Sequence, residues 1–284
     1  MAYKTLLTIL TADQDAPAAV RAGALEAAVA LARREDAHLD VLTLGVDRTQ
    51  IGYFYPGASA VIYQQSMEAA QAQAAALEQL SRDRLGREDI RWGVDSAVAQ
   101  LGGLGPLVAQ ASRFADLVVL PKPYGEARGP EEEAALEAAL FDGQAPVLVV
   151  PEGADISAPP RRVVVAWNQS SEALVAIRRA LPMLKKATSV NIAIIDPPAH
   201  GPERSDPGGM LSQWLARQGV SSEVSVLART MSRISDILAR HVRDQNADML
   251  VMGAYGHSRF REAILGGATR NMLEITEVPV LLAH

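Results

Sequence analysis

Short apolar runs alternate with longer segments of mixed polarity along the whole chain. In the second half the apolar runs predict strands at 163–167, 189–195, 222–227, 249–252 and 278–283, separated by helices at 171–186, 210–218, 234–245 and 269–274. The first half follows the same plan, with strands at 5–10, 39–44, 90–94, 117–120 and 147–150 and helices at 17–34, 60–84, 104–113 and 131–140. Regular alternation of this kind is typical of a parallel sheet covered by helices on both faces. We therefore predict an α/β fold.

The two halves of the chain repeat one another. The run Ala-Asp-Leu-Val-Val-Leu at 115–120 recurs as Ala-Asp-Met-Leu-Val-Met at 247–252. A repeat of this length is typical of a duplicated domain. The segment 151–160 is rich in proline, glycine and polar residues, which favours a linker. We predict two tandem domains at 1–152 and 161–284, each with a five-stranded parallel sheet.

Composition narrows the classes of function. A formal net charge of −6 without a basic stripe in either half argues against nucleic acid as a partner. The chain has no cysteine, which excludes disulfides, thiol nucleophiles and thiolate metal sites. No apolar run approaches the ~18 residues that span a bilayer, and the N-terminal apolar run is too short for a signal peptide. We expect a cytoplasmic protein with no membrane partner.

Two glycine clusters follow the apolar run Met-Leu-Val-Met of the second half. Gly253 and Gly256 come first, and nine residues later Gly266 and Gly267 precede Thr269. Glycine lets backbone N–H groups approach phosphate oxygens, and a helix that begins near Thr269 adds its positive N-terminal end. Ligands of parallel sheets bind beyond the carboxyl ends of the strands, which is where this loop begins. The pattern predicts an adenine-nucleotide site rather than a catalytic centre built from side chains.

The motif and the duplicated layout resemble those of tandem universal stress proteins, in which two such domains share one chain. Nucleotide-binding members of that family carry Gly-x2-Gly-x9-Gly-Ser/Thr after the fourth strand of a Rossmann-like domain. Position 267 departs from this pattern, because it is glycine, but Thr269 stands where the family commonly has a second hydroxyl. The resemblance implies that ATP, with or without Mg²⁺, binds through Gly253, Gly256, His257, Ser258, Gly266, Gly267, Ala268 and Thr269.

Three further positions follow from the same resemblance. The first strand of the family typically ends in an aspartate that meets the ribose or adenine, and this chain has Asn168 there. The second strand usually places an apolar residue beside the base, which Ile194 or Ile195 would supply. Met252 matches a position that often lines the adenine pocket. Three arginines flank the glycine loop and could neutralise phosphate charge, although the sequence favours a solvated surface position for each of them: Arg259, Arg261 and Arg270.

The first half lacks the glycine motif. Pro121 and Tyr124 stand where the second half has the first two glycines, and Glu133 stands where it has Gly266. Proline offers no N–H group, and the Glu-Glu-Glu run at 131–133 would face phosphate with like charge. We expect this half not to bind ATP, and its cleft to take another small molecule or nothing.

The resemblance implies an ATP-binding stress-response protein with one nucleotide site, in the C-terminal domain. The sequence contains no Ser-His-Asp set, no Walker Gly-x4-Gly-Lys-Ser/Thr motif and no metal-ligand spacing of histidines, so we predict no catalytic or metal-binding residues. A nucleotide-independent scaffold and a slow ATP hydrolase using Asn168 or a bound water are the alternatives. The resemblance also implies an edge-to-edge pairing of 147–150 with 278–283, the contact that family homodimers use, and leaves a homodimer of the whole chain open.

Overall fold

The protein forms two compact units. The computed structural model describes residues 2–12, 22–48, 56–125, 128–197, 206–254 and 267–284. Contacts between Cα atoms separate Tyr3–Ala145 from a second unit that consists mainly of Pro146–His284. The strand at 147–150 thus belongs to the second unit by its contacts, while our domain limits assign it to the first domain.

The N-terminal unit is a four-stranded parallel sheet with the strand order β3-β2-β1-β4. A 3₁₀ turn at Leu101–Gly103 precedes its third helix, and a π-helical turn at Ala138–Asp142 follows its fourth. Its elements are β1 (Thr5–Thr11), α1 (Ala22–Glu35), β2 (His38–Asp47), α2 (Pro56–Leu85), β3 (Arg91–Gln100), α3 (Leu104–Ser112), β4 (Leu117–Pro121) and α4 (Pro130–Glu137).

The C-terminal unit repeats this plan with the strand order β5-β10-β9-β6-β7-β8. Strands β6 to β10 are parallel, and β5 lies antiparallel to β10 with Val149 opposite Val280. The predicted edge-to-edge pairing of these two strands is therefore present. The elements are β5 (Val147–Val150), β6 (Arg162–Ala166), α5 (Ser171–Leu184), β7 (Ser189–Ile195), α6 (Gly209–Arg217), β8 (Ser222–Leu227), α7 (Ile234–Asp244), β9 (Met249–Gly253), α8 (Ala268–Ile275) and β10 (Val280–Ala283).

The central strands of each sheet are apolar on both faces because helices cover both sides. In β9 the first four residues are buried, and all four residues of β10 are buried. Burial of such runs removes apolar surface from water and is the main favourable term in folding. The predicted α/β fold class is confirmed.

The repeated Ala-Asp pair has the same structural role in both units. Asp116 accepts hydrogen bonds from the backbone N–H groups of Lys4 and Thr5, at 2.7 and 3.0 Å. Asp248 accepts in the same way from Arg161 and Arg162, at 2.9 and 3.1 Å. Each carboxylate thus satisfies backbone donors at the start of the neighbouring strand, β1 or β6, where the sheet ladder cannot. Shared chemistry at this position explains why the pair recurs in the sequence.

Among the helices in the described ranges, none combines the length and the apolar character that a membrane crossing requires.

Candidate functional site

A cleft of about 440 Å³ lies at the carboxyl edge of the C-terminal sheet, where β6, β7 and β9 end. Its volume falls in the range of roughly 300–1,000 Å³ that small-molecule sites occupy. The structure brings several of the predicted site residues together there, namely Asn168, Ile195, Met252, Gly253, Ala268 and Thr269. Gly267 immediately precedes this group at the start of α8. Four further predicted residues lie outside the described residues: Gly256, His257, Ser258 and Gly266.

The N-terminus of α8 opens into the cleft. Gly267 is the N-cap residue and, as a glycine, has no side chain of its own that could cap the helix. Ala268 and Thr269 form the first turn, and both line the cleft; Thr269 is only 3% exposed. The first N–H groups of a helix have no partners within it, and the helix dipole gives that end a partial positive charge. The arrangement suits an anionic group such as phosphate.

Gly253 is required by packing. A Cβ atom at this position would lie 2.5 Å from the backbone nitrogen of Ala173 and 2.8 Å from the carbonyl carbon of Glu172. Both contacts are with the backbone of the first turn of α5, which cannot move aside as a flexible side chain could. Beyond the access to phosphate that the sequence predicts for this glycine, β9 and α5 approach too closely for any larger residue.

The turn between β6 and α5 forms one rim of the cleft. The Asn168 side-chain oxygen accepts a hydrogen bond from the backbone N–H of Ser170, at 3.2 Å. Ser170 is the N-cap of α5, and its hydroxyl accepts from the backbone N–H of Ala173 at 3.1 Å. Asn168 is exposed at this rim, so it combines an Asx-type turn with a position beside the cleft.

The wall of the cleft beside β7 and β9 is apolar. Ile195 and Met252 line it together with Ile234 and Leu238 of α7. Of the two isoleucines proposed for the end of the second strand, Ile195 is the one that lines the cleft. Ile194 is buried and does not line it. An apolar wall of this kind can cover the face of a purine base.

Every described side chain that lines the cleft is uncharged. Charged side chains that lie close to lining residues in the sequence include Arg270 at the start of α8 and Glu172 at the start of α5. Arg270 points to Glu274 one turn further along α8, with 3.2 Å between Nε and Oε1. Glu172, at the start of α5, has its pKa lowered; partial burial opposes this shift, but hydrogen bonds from the start of the helix and the charge of His284 outweigh it. Arg259 and Arg261, which also flank the glycine loop in the sequence, lie outside the described residues.

Within the described ranges no group of three or more acidic, histidine or cysteine side chains could hold a metal ion.

The corresponding place in the N-terminal unit is nearly filled, with a cavity of about 20 Å³ bordered by Thr11, Pro121 and Glu132. The Glu132 carboxylate accepts a hydrogen bond from the backbone N–H of Gly129 at 2.9 Å and another from the Thr11 hydroxyl at 3.4 Å. The N-terminus of α4 is therefore capped by a negatively charged side chain of the protein itself.

The two neighbouring glutamates of α4 also have side-chain partners within the N-terminal unit. Glu131 is 1% exposed and forms an ion pair with Arg48. The Tyr124 hydroxyl donates to Glu133 at 3.0 Å. The carboxylates thus occupy the N-terminal end of α4, the place in this unit where an anionic ligand would otherwise meet the helix.

Comparison with known proteins places these features in a family. The model of the universal stress protein family matches residues 159–284. The C-terminal part of the chain is thus similar in sequence to a universal stress protein domain. A curated relative, universal stress protein Slr1230 from Synechocystis sp. (strain ATCC 27184 / PCC 6803 / Kazusa), is 34% identical over 73 residues, which are 26% of this chain and 24% of that protein. The match therefore spans about a quarter of the length of this relative.

Solved universal stress proteins extend the likeness in fold to the whole chain. A universal stress protein from Archaeoglobus fulgidus DSM 4304 superimposes with a TM-score of 0.64 at 15% identity, covering 98% of this chain and 95% of that chain. The two-unit layout fits a tandem universal stress protein. A universal stress protein solved in complex with cAMP covers 45% of this chain and 98% of its own, with 21% identity and a TM-score of 0.38.

Several residues that line the cleft were not predicted from the sequence. Trp167 follows β6, and Ile234, Ser235 and Leu238 come from α7. The position of α7 offers one signal: this helix follows β8, and in a parallel sheet every such helix begins at the carboxyl edge. The sequence does not reveal which of these helix starts reach the cleft.

Proposed function

We propose that the C-terminal universal stress protein domain binds one molecule of ATP in this cleft and that the protein responds to nucleotide as a stress-response regulator in the cytoplasm. The observation that carries the proposal is the N-terminus of α8, whose first residues Ala268 and Thr269 line a cleft of about 440 Å³. The phosphates would lie at this end, against backbone N–H groups. The base would lie against the apolar wall formed by Ile195, Met252 and Leu238.

The expected binding free energy is large enough for a nucleotide at cellular concentrations. Hydrogen bonds to charged groups contribute about 1.5–3 kcal/mol each. A few of them together with burial of the base reach about −8 kcal/mol, which corresponds to a micromolar complex. Because the described lining is uncharged, we expect binding to rest more on backbone donors than on ion pairs.

One site per chain follows from the contrast between the two units. In the N-terminal unit Glu132 caps α4, and the remaining cavity of about 20 Å³ is too small for a base. In the C-terminal unit the equivalent helix begins at Gly267, which has no side chain to act as a cap, beside a cleft of about 440 Å³. Bound ATP would shift the protein toward the conformation that binds ATP more tightly. A partner that binds only one conformation would then be selected by the nucleotide.

The experiment is a calorimetric titration of the full chain with Mg-ATP. The wild-type chain is expected to bind with a micromolar Kd, and Gly266→Val is expected to abolish binding because a branched side chain enters the predicted phosphate loop. Gly102→Ala serves as the control, since a Cβ at Gly102 meets nothing within 4 Å. No heat of binding from the wild-type chain at millimolar ATP would overturn the proposal in favour of a nucleotide-independent scaffold. Release of inorganic phosphate, followed in the same samples, distinguishes a binding protein from a slow hydrolase.

A further inference from the structure

Two buried hydrogen-bond donors in the cleft have no partner among the described residues. They are the indole Nε1 of Trp167 and the hydroxyl of Ser235, and both residues line the cleft. Ser235 is only 1% exposed. A buried polar group without a partner is uncommon and destabilises the folded protein, so each instance calls for an explanation. Two of them in one cleft point to a ligand that accepts hydrogen bonds from both.

Both donors lie among the residues that form the apolar wall of the cleft. The backbone N–H of Trp167 donates to the carbonyl of Ala193 in β7 at 2.9 Å. Ser235 is in the first turn of α7, which packs against β7 and against α8. Ile234 and Leu238 of α7, on either side of Ser235 in the sequence, both line the apolar wall, and β7 contributes Ile195 to it. If the base lies against this wall, the two donors therefore lie at the base end of the ligand.

We propose that Trp167 and Ser235 are specificity-determining residues that donate hydrogen bonds to ring nitrogens of the purine base. An indole N–H can only donate, so its partner must be an acceptor such as a ring nitrogen. A serine hydroxyl can donate to a ring nitrogen and also accept from an exocyclic amino group. A base without these acceptors leaves both donors unpaired and is rejected for that reason. This inference rests on the proposed function, because it assumes that a nucleotide occupies the cleft.

The test separates a role in the ligand complex from a role in folding. Ser235→Ala removes the hydroxyl, and we expect the Kd for ATP to rise about tenfold, the equivalent of one lost hydrogen bond of ~1.4 kcal/mol. The ligand-free Tm should stay the same or rise, because an unpaired buried group has been removed. Trp167→Phe, which keeps an aromatic ring but lacks the N–H, should also raise the Kd.

Ser112→Ala is the matched control. Ser112 is fully buried, and its hydroxyl also lacks a partner among the described residues, but it belongs to α3 in the N-terminal unit. Its substitution should change the ligand-free Tm in the same direction as Ser235→Ala and leave the Kd for ATP unaltered. A Kd within twofold of wild type for both Ser235→Ala and Trp167→Phe would overturn the inference while the proposed function stands.

Deaza nucleotides test the assignment to the base. The 1-deaza, 3-deaza and 7-deaza analogues of ATP each replace one ring nitrogen by a C–H group. At least one analogue should bind the wild-type chain about tenfold more weakly than ATP, and this penalty should shrink in Ser235→Ala or Trp167→Phe. Equal affinity of all three analogues and ATP for the wild-type chain would refute recognition of ring nitrogens. Failure of the wild-type chain to bind ATP would refute the proposed function and this inference together.

Discussion

Replacing Gly253 by alanine should destabilise the C-terminal unit. The added Cβ would lie 2.5 Å from the nitrogen of Ala173, 3.0 Å from its Cα and 2.8 Å from the carbonyl carbon of Glu172. These are backbone atoms of α5, so either the helix or the end of β9 must move. Overpacking of this kind typically lowers the free energy of unfolding by about 1–3 kcal/mol. For a unit of this size a loss of ~2 kcal/mol lowers the Tm by roughly 5–10 °C.

The assay is thermal unfolding of Gly253→Ala and wild type without nucleotide, followed by circular dichroism. Gly102→Ala is the control, because nothing lies within 4 Å of its added Cβ, and its Tm should be unchanged or slightly higher. A Gly253→Ala protein as stable as wild type would show that β9 and α5 do not approach as closely as described. Since the substitution is expected to disturb the fold, weaker ATP binding by Gly253→Ala would not by itself report on phosphate contacts.

Three further predictions concern capping and pH. Ser170→Ala removes the N-cap of α5 and should lower the free energy of unfolding by about 0.5–2 kcal/mol in urea titrations; no change would contradict the capping role. Glu132→Ala uncaps α4 and should lower the Tm without creating a second ATP site, which calorimetry would detect. Burial lowers the pKa of His241, with Asp244 opposing, so the unfolded chain binds the proton more readily. Stability should therefore fall as the pH drops below about 6.5, and less so in His241→Gln; equal urea midpoints at pH 7.5 and 5.5 for wild type would refute this.

The buried parallel strands were predictable because their signal is local. The predicted bounds of β5, β7 and β8 agree with the structure, since each apolar or alternating run ends at a turn signal. Strand β3 continues to Gln100, six residues beyond its predicted end at Val94. Residues 95–100 pair with β2 along one edge, and each of them is exposed or only half-buried, so they form no long apolar run that a sequence pattern could detect.

The cleft was only partly predictable because most of its residues are far apart in the sequence and come together only in the folded chain. The first glycine cluster and the residues at the strand ends have recognisable sequence signals, and Gly253, Asn168, Ile195 and Met252 line the cleft. Trp167 and Ser235 are 68 positions apart and become neighbours of the same cavity only when β6 and α7 pack in the sheet. Likewise, a run of three glutamates at 131–133 reads as an exposed acidic segment, whereas Glu131 and Glu132 are buried against Arg48 and the start of α4.

Counting the nucleotides bound to each chain tests the central claim most directly. Native mass spectrometry of the full chain in excess Mg-ATP should show one nucleotide per chain, held by the C-terminal domain. A chain that carries two nucleotides would contradict the filled state of the N-terminal cleft. A chain that carries none at millimolar ATP would contradict the proposed site itself.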